Sequence, residues 1–433
     1  MDKKVVTGAA ATLLWLAVAL PALAGSPVTH ARGVLLLDGV SGQVLYQQNG
    51  YVKAYPASTT KLLTALVAVE HGKLDQVIEI SGKAVDLPLD SSSCYLERGE
   101  KQKLEYLLYG LLLSSGNDCA QAIAEGVGGG KPDQFVAWMN ETARRIGATH
   151  SNFTNPHGLH DAGHYTTPLD LALIARTALA NPTLLKIAGT KEFYWPGKSD
   201  RNGPYYNHDA MLSRYDGTMG GKTGFTEEAG LTLVVEAKRG NRLLVGVVMG
   251  ENLAATQYND MIALLDYGYG EFEQKPLFAK GTPFGTVPVT GGKAPGVSAL
   301  AGADFLVSVP RGGQPAVTIQ PKLPPNVAAP VTAGQQVGAL EVREGDRLLA
   351  TVPVLPSQAV LASPLTGILH WAGLALKWLA LAFLGLLVFR AVVRAVRRAL
   401  RRRRSRRRAD SFDGRTFSSR NSATSAYRSR NRY

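Results

Sequence analysis

Pro56-Ala57-Ser58-Thr59-Thr60-Lys61-Leu62-Leu63-Thr64-Ala65-Leu66-Val67-Ala68-Val69-Glu70 predicts a helix over residues 58–70 whose apolar side chains almost encircle it: Leu62, Leu63, Leu66, Val67 and Val69. A helix apolar on nearly every side is buried on most sides, so it is expected to run through the middle of a domain. Its first turn is polar, and Ser58 and Lys61, three residues apart, share one face. A serine hydroxyl is a poor nucleophile until a neighbouring base takes its proton. A lysine whose pKa is lowered by burial or by another cation can be that base. At a helix N-terminus the free backbone N–H groups also favour developing negative charge.

Upstream of this helix, Val34–Leu37, the turn Asp38-Gly39-Val40-Ser41-Gly42 and Gln43–Tyr46 read as a β-hairpin. Downstream, Leu104–Leu113 and Ala120–Glu125 read as helices around a break at Ser114–Asp118, and Pro132–Ile146 and Pro168–Leu179 as two more. Thr232–Ala237 and Arg242–Met249 form a strand pair, and Asn259–Tyr267 a closing helix. Strand pair, helices, strand pair and helix imply an α+β domain, an antiparallel sheet flanked by helical layers, over residues 25–271. From Phe272 the composition turns to Gly, Pro and Val, with short strands such as Phe305–Val309, Ala316–Ile319 and Leu348–Val354. Residues 272–356 therefore read as a small all-β domain, with no cluster of reactive side chains.

The chain has 433 residues, 45% of them hydrophobic, and a formal net charge of +13. Such a charge invites a nucleic-acid reading, but its placement argues otherwise. Residues 390–433 hold 16 arginines against Asp410 and Asp413, a local net charge of +14, so the rest of the chain is nearly neutral. The tail follows Gly367–Phe389, 23 residues whose one charge is Lys377. That length spans a bilayer as a helix, and an arginine block on one flank marks the cytoplasmic side. Arg390, Arg394, Arg397 and Arg401 recur at helical spacing, so the helix is expected to continue for a few turns along anionic lipid headgroups. At the other end, Lys3 and Lys4, the apolar run Val5–Leu20 and Ala22-Leu23-Ala24 read as a cleavable signal peptide over residues 1–24. The expected order is signal, extracytoplasmic body, transmembrane helix at 367–389 and a cytoplasmic Arg-rich tail at 390–433; no nucleic-acid partner is expected.

Two further short motifs carry reactive groups. Ser115-Gly116-Asn117 falls in the break between two helices, where a loop can point a hydroxyl and a carboxamide into a cleft. Lys222-Thr223-Gly224 leads toward a strand, where Lys and Thr could bind a carboxylate and the glycine let a substrate backbone approach. Each alone is weak. In this order, 57 and 107 residues apart, Ser-x-x-Lys, Ser-x-Asn and Lys-Thr-Gly form the signature of penicillin-binding proteins and serine β-lactamases. With Asn155-Pro156-His157-Gly158-Leu159, His164-Tyr165-Thr166-Thr167 and Gly220-Gly221-Lys222-Thr223-Gly224-Phe225-Thr226, residues 28–355 resemble the D-alanyl-D-alanine carboxypeptidases, the low-molecular-mass penicillin-binding proteins.

That resemblance implies a penicillin-binding, β-lactamase-like catalytic domain followed by the family's C-terminal β domain. It implies that Ser58 attacks the carbonyl between the terminal D-alanines of a peptidoglycan stem pentapeptide, with Lys61 as base and Ser115 as proton relay. Asn117 would hold the substrate amide, and Lys222, Thr223 and Gly224 would take its terminal carboxylate end. The backbone N–H groups of Ser58 and Phe225 would form the oxyanion hole. β-Lactams would acylate Ser58, and no cofactor or metal is called for. A β-lactamase would need a dedicated deacylating glutamate, and no Glu-x-x-Leu-Asn stretch is present. A wall-binding module that merely keeps the fold remains a third reading. His157, His160 and His164 have the spacing of a metal cluster, but His157 and His164 belong to motifs that are structural in the family. Cys94 and Cys119 are the two cysteines; export permits a disulfide between them, and sequence does not decide it.

Overall fold

The computed structural model describes residues 25–88, 90–198 and 203–413; the signal segment expected at 1–24 and the end of the tail lie outside the described residues. The chain divides into two compact units. The first holds the described residues up to Val287 together with Ser298–Pro324 and Ala333–Ser357, and the second holds Pro288–Val297, Pro325–Thr332 and the chain from Gln358.

The first unit opens with β1 (Gly33–Asp38) and β2 (Val44–Gln48), then α1 (Lys61–His71), β3 (Val77–Glu79) and α2 (Gly82–Val85). Next come β4 (Lys101–Lys103), α3 (Leu104–Leu112), α4 (Asn117–Val127), α5 (Pro132–Arg145), α6 (Pro168–Leu179) and α7 (Pro182–Ala188). The short strands β5 (Glu192–Phe193) and β6 (Tyr205–Tyr206) precede the long β7 (Thr218–Thr226), β8 (Gly230–Arg239) and β9 (Arg242–Glu251). A helix over Ala254–Glu271 closes this part. Helix starts follow their local chemistry: Thr167 caps α6 and Asn181 caps α7, each with proline in the first turn.

The main sheet is antiparallel, in the order β2-β1-β9-β8-β7. Every residue of β1 is buried, because the sheet is covered on both faces. Successive side chains of a strand point to opposite sides. Leu35 and Leu37 accordingly join Val245, Val247 and the helical layer of α1, α3, α4 and α6. Val34 and Leu36 join Leu233, Val248 and, from the helix Ala254–Glu271, Met261, Leu264 and Leu265. The expected α+β architecture is therefore present. α1 runs through the helical layer with Lys61 to Ala68 buried without interruption, as its encircling apolar pattern predicts.

Two local details differ from expectation. The helix expected from Ser58 begins as a 3-10 turn over Ala57–Thr60, and α1 starts at Lys61. The tighter turn eclipses residues i and i+3, which sets Ser58 directly over Lys61. The helix expected from Ala120 begins at Asn117, so Asn117 and Asp118 stand in its first turn rather than in a loop.

The β-rich part continues with the strand Phe272–Phe278, paired antiparallel with Phe305–Pro310. Ser308 bonds back to the hairpin, its N–H donating to Gln43 Oε1 at 2.8 Å and its hydroxyl to Asp38. Thr318–Lys322, Gly338–Glu344 and Arg347–Pro356 form consecutive antiparallel neighbours. The strand expected at Ala316–Ile319 is shifted toward the C-terminus, because Thr318 to Lys322 is the stretch in register with Gly338–Glu344. Pro321 sits within it, tolerated because this is an edge strand.

In the second unit, Val289 and Thr290 pair in parallel with Val327 and Ala328. A single helix follows over Pro364–Asp413 and includes the expected span at 367–389. Within its stretch Ala372–Arg402, an 18-residue window has mean hydropathy 2.2 and is wholly unburied, long and apolar enough to cross a membrane. The helix continues through the arginine block, further than the few turns expected.

Candidate active site

The 3-10 turn places Ser58 on the floor of a cleft of about 770 Å³. Ala57, just before it, has φ +48°, a left-handed conformation that strains a side chain bearing Cβ. Its carbonyl packs directly against the backbone of Gly158. A Cβ on Gly158 would lie 1.9 Å from the Ala57 carbonyl oxygen, so no other residue fits at 158.

Lys61 lies beneath the floor with no exposed surface. Its Nζ reaches Ser58 Oγ at 2.8 Å, Asn117 Oδ1 at 2.6 Å and the His157 carbonyl at 2.8 Å. These three partners use the whole hydrogen-bonding capacity of the amine. Burial, then the positive charge of Lys222, push Lys61 well below the usual lysine range. With the amine neutral, its two N–H groups satisfy Asn117 Oδ1 and the His157 carbonyl, and the lone pair faces the Ser58 hydroxyl. That is the arrangement a general base requires.

Ser115 and Asn117 form one wall. Ser115 is held at φ +62° in the break before α4 and is almost fully buried, and Asn117 begins the helix. Asp118 fixes the wall from behind, a role that sequence reading missed. Its buried carboxylate accepts from the Ser93 hydroxyl at 2.7 Å and from the N–H groups of Cys94, Leu96 and Cys119. An acid in the first turn of a helix is the signal that could have marked it.

The opposite wall is β7, an edge strand; Lys222-Thr223-Gly224 lies within it, whereas the sequence reading has the motif leading toward a strand. Thr223 and Gly224 line the cleft with Phe225, which is 62% exposed at its rim. The glycine also has a role within the protein. A Cβ on Gly224 would lie 2.9 Å from Ser58 N and 2.4 Å from Thr232 Oγ1, so glycine lets the strand close on the serine turn. Lys222 is buried below this wall, its Nζ on the Thr223 carbonyl at 2.9 Å. Burial lowers it to about 7, and Asp209 opposes that fall. Asp209, which sequence reading also missed, is raised by its own burial to about 6, and its Oδ2 has no hydrogen-bond partner.

The structure thus brings all eight expected residues to one place: six line the cleft and the two lysines lie under it. The sequence profile described as D-alanyl-D-alanine carboxypeptidase matches residues 22–252, and that of the penicillin-binding protein 5 C-terminal domain matches 272–361. The chain belongs to the D-alanyl-D-alanine carboxypeptidase family. It is 30% identical over 334 residues to the carboxypeptidase DacF of Bacillus subtilis, covering 76% of this chain and 86% of that protein. It is 30% identical over 348 residues to DacD of Salmonella typhimurium, covering 77% and 87%. Among solved structures, penicillin binding protein 5 from Haemophilus influenzae superimposes with a TM-score of 0.63 at 28% identity, covering 78% of this chain and 99% of that one.

Within this carboxypeptidase-family cleft the histidines are committed to structure. His164 Nδ1 accepts from the Thr154 N–H at 3.1 Å, which leaves its Nε2–H to donate to Thr60 Oγ1 at 2.8 Å. His157 Nδ1 accepts from the Leu159 N–H. Burial lowers His157 to about 3 and His164 to about 4, so both are neutral. His160 stands apart, edge-on to Tyr55 and 3.8 Å from Glu228. The three do not form the metal cluster that their spacing suggests.

Proposed function

We propose that this protein is an exported, membrane-anchored serine carboxypeptidase that removes the terminal D-alanine from peptidoglycan stem pentapeptides and is acylated by β-lactams. One observation carries the reading: Lys61 Nζ lies 2.8 Å from Ser58 Oγ in a cleft whose far wall presents Thr223 over a buried lysine, Lys222. A nucleophile with its base at one end and a carboxylate site at the other fits a substrate cut one residue from its C-terminus. The names of the curated relatives support the same activity.

In this reading Ser58 Oγ attacks the carbonyl carbon of the penultimate D-alanine as its proton passes to Lys61. The oxyanion is received by the Ser58 and Phe225 N–H groups, which Gly224 allows to converge. The C–N bond then breaks, and the proton returns through Ser115 to the departing D-alanine amine. Water cleaves the Ser58 ester and releases the tetrapeptide. Asn117 orients the substrate amide, and Lys222 with Thr223 and Gly224 receives the carboxylate. The helix Pro364–Asp413 crosses the membrane, its arginines on the cytoplasmic side against anionic headgroups.

The test is release of D-alanine from a muropeptide pentapeptide by the full-length protein, with covalent labelling of Ser58 by a fluorescent penicillin. Labelling without release would leave a wall-binding role, and rapid turnover of the penicillin would identify a β-lactamase. Protease cleavage of the tail on intact cells would overturn the topology.

A further inference from the structure

We propose that Cys94 and Cys119 close a disulfide that staples the cleft-lining loop of residues 90–96 to α4, one turn from the catalytic wall. Asp90, Ser91 and Ser92 of this loop line the cleft, and Cys119 stands two residues after Asn117. Both cysteines are fully buried, and their sulfurs lie within 4.8 Å of each other. They share one niche. A Cβ on Gly110 would lie 2.7 Å from Cys119 Sγ and 2.8 Å from Cys94 Sγ, and a Cβ on Gly116 would lie 2.7 Å from Cys94 Sγ and 3.0 Å from Cys119 Sγ. Glycine at both positions leaves the room in which the two sulfurs meet.

Asp118 fixes the backbone on both sides of the pair, its Oδ1 accepting from the N–H groups of Cys94 at 3.0 Å and Cys119 at 2.8 Å. With Ser93 Oγ and the Leu96 N–H on Oδ2, this carboxylate has four donors and is engaged in holding the loop rather than free to ligate a metal beside the thiols. The chain has no third cysteine, so each thiol has one intramolecular partner.

The reaction is thiol–disulfide exchange with an external disulfide. The Cys94–Cys119 bond forms as the external bond breaks, and the two cysteine protons leave with the two external thiols released. An oxidising extracytoplasmic compartment supplies that reagent, so the bridge in cells rests on the proposed export. Burial, with Cys94 and Asp118 adding to it, pushes the Cys119 thiol well up. The folded, reduced protein therefore presents little thiolate, and the bridge forms while the chain folds.

The test has two arms on the full-length protein. In the first, cells are lysed in N-ethylmaleimide, and the protein is unfolded with and without reductant and weighed. No adduct before reduction and two after are expected. In the second, the reduced, unfolded chain is refolded in detergent in a glutathione redox buffer and analysed in the same way, with the same result expected. Two adducts without reductant in the refolded protein would overturn the bridge. A bridge on refolding but free thiols in cells would overturn export and leave the bridge standing. Stapling itself is read by reducing the folded protein: the melting temperature should fall by roughly 5 °C, and limited proteolysis should then cut between residues 90 and 96. Unchanged melting and protection of the loop after reduction would overturn the stapling role.

Discussion

The floor and the far wall of the cleft each bury a lysine, and they treat it in opposite ways. Lys61 is surrounded by Ser58 Oγ, Asn117 Oδ1 and the His157 carbonyl, all uncharged, and is pushed further down by a second cation. Lys222 is as deeply buried but has a carboxylate, Asp209, to oppose its fall, and it stays near 7. One residue type at comparable burial is thus set toward a neutral base in one place and toward a cationic anchor in the other. Burial lowers both; for Lys61 the charge of Lys222 adds to the fall while Asp118 opposes it, and for Lys222 Asp209 opposes it.

The comparison breaks most sharply at the serine it serves. Ser58→Ala should abolish both D-alanine release and penicillin labelling, as seen by gel fluorescence. Lys61→Ala should leave a folded protein acylated about 10²–10⁴-fold more slowly, measured as the second-order labelling rate. Lys222→Ala should act chiefly on binding, raising KM for the pentapeptide by roughly 100-fold as the carboxylate loses its cation. A loss confined to kcat would contradict that division of labour.

The pH profile sharpens the same contrast. Lys61 must be deprotonated to accept the Ser58 proton, so kcat/KM rises with pH through its depressed pKa. Lys222 must be protonated to hold a carboxylate, so kcat/KM falls above about 7. Bound substrate adds a negative charge that raises Lys222, so the falling limb should move to higher pH in kcat. Asp209→Asn, the smallest change, removes the anion that supports Lys222 and should shift the falling limb of kcat/KM down by about one pH unit. An unmoved limb would show that Asp209 does not set that charge.

Much of this was legible in the sequence because it is local or periodic. The encircling apolar pattern of α1 marked the buried helix, and alternating β-rich runs marked β8 and β9. Three short motifs in a fixed order marked the reactive groups. The burial of Asp118 and Asp209 was not legible, because an acidic residue looks the same in sequence whether it is solvated or buried. Their roles come from the chain packed over them: the Ser93–Leu96 backbone folded onto one, and β7 laid across the other. The close approach of Gly224 to Ser58 was not legible for the same reason, since the two are distant in sequence.

By itself, then, the sequence determined the family, the α+β order of elements, the eight residues of the cleft and a C-terminal helix apolar enough to span a bilayer. The family and the cleft residues rest on the resemblance that the ordered motifs carry, the elements and the C-terminal helix on spacing and hydropathy, and none of these needs knowledge of distant contacts. Only the tertiary structure decided how the two lysines differ, why Ala57 tolerates a left-handed backbone, and which groups hold the walls. Those properties depend on desolvation and on contacts between segments far apart in the chain, and they exist only once the sheet and helices have closed around them.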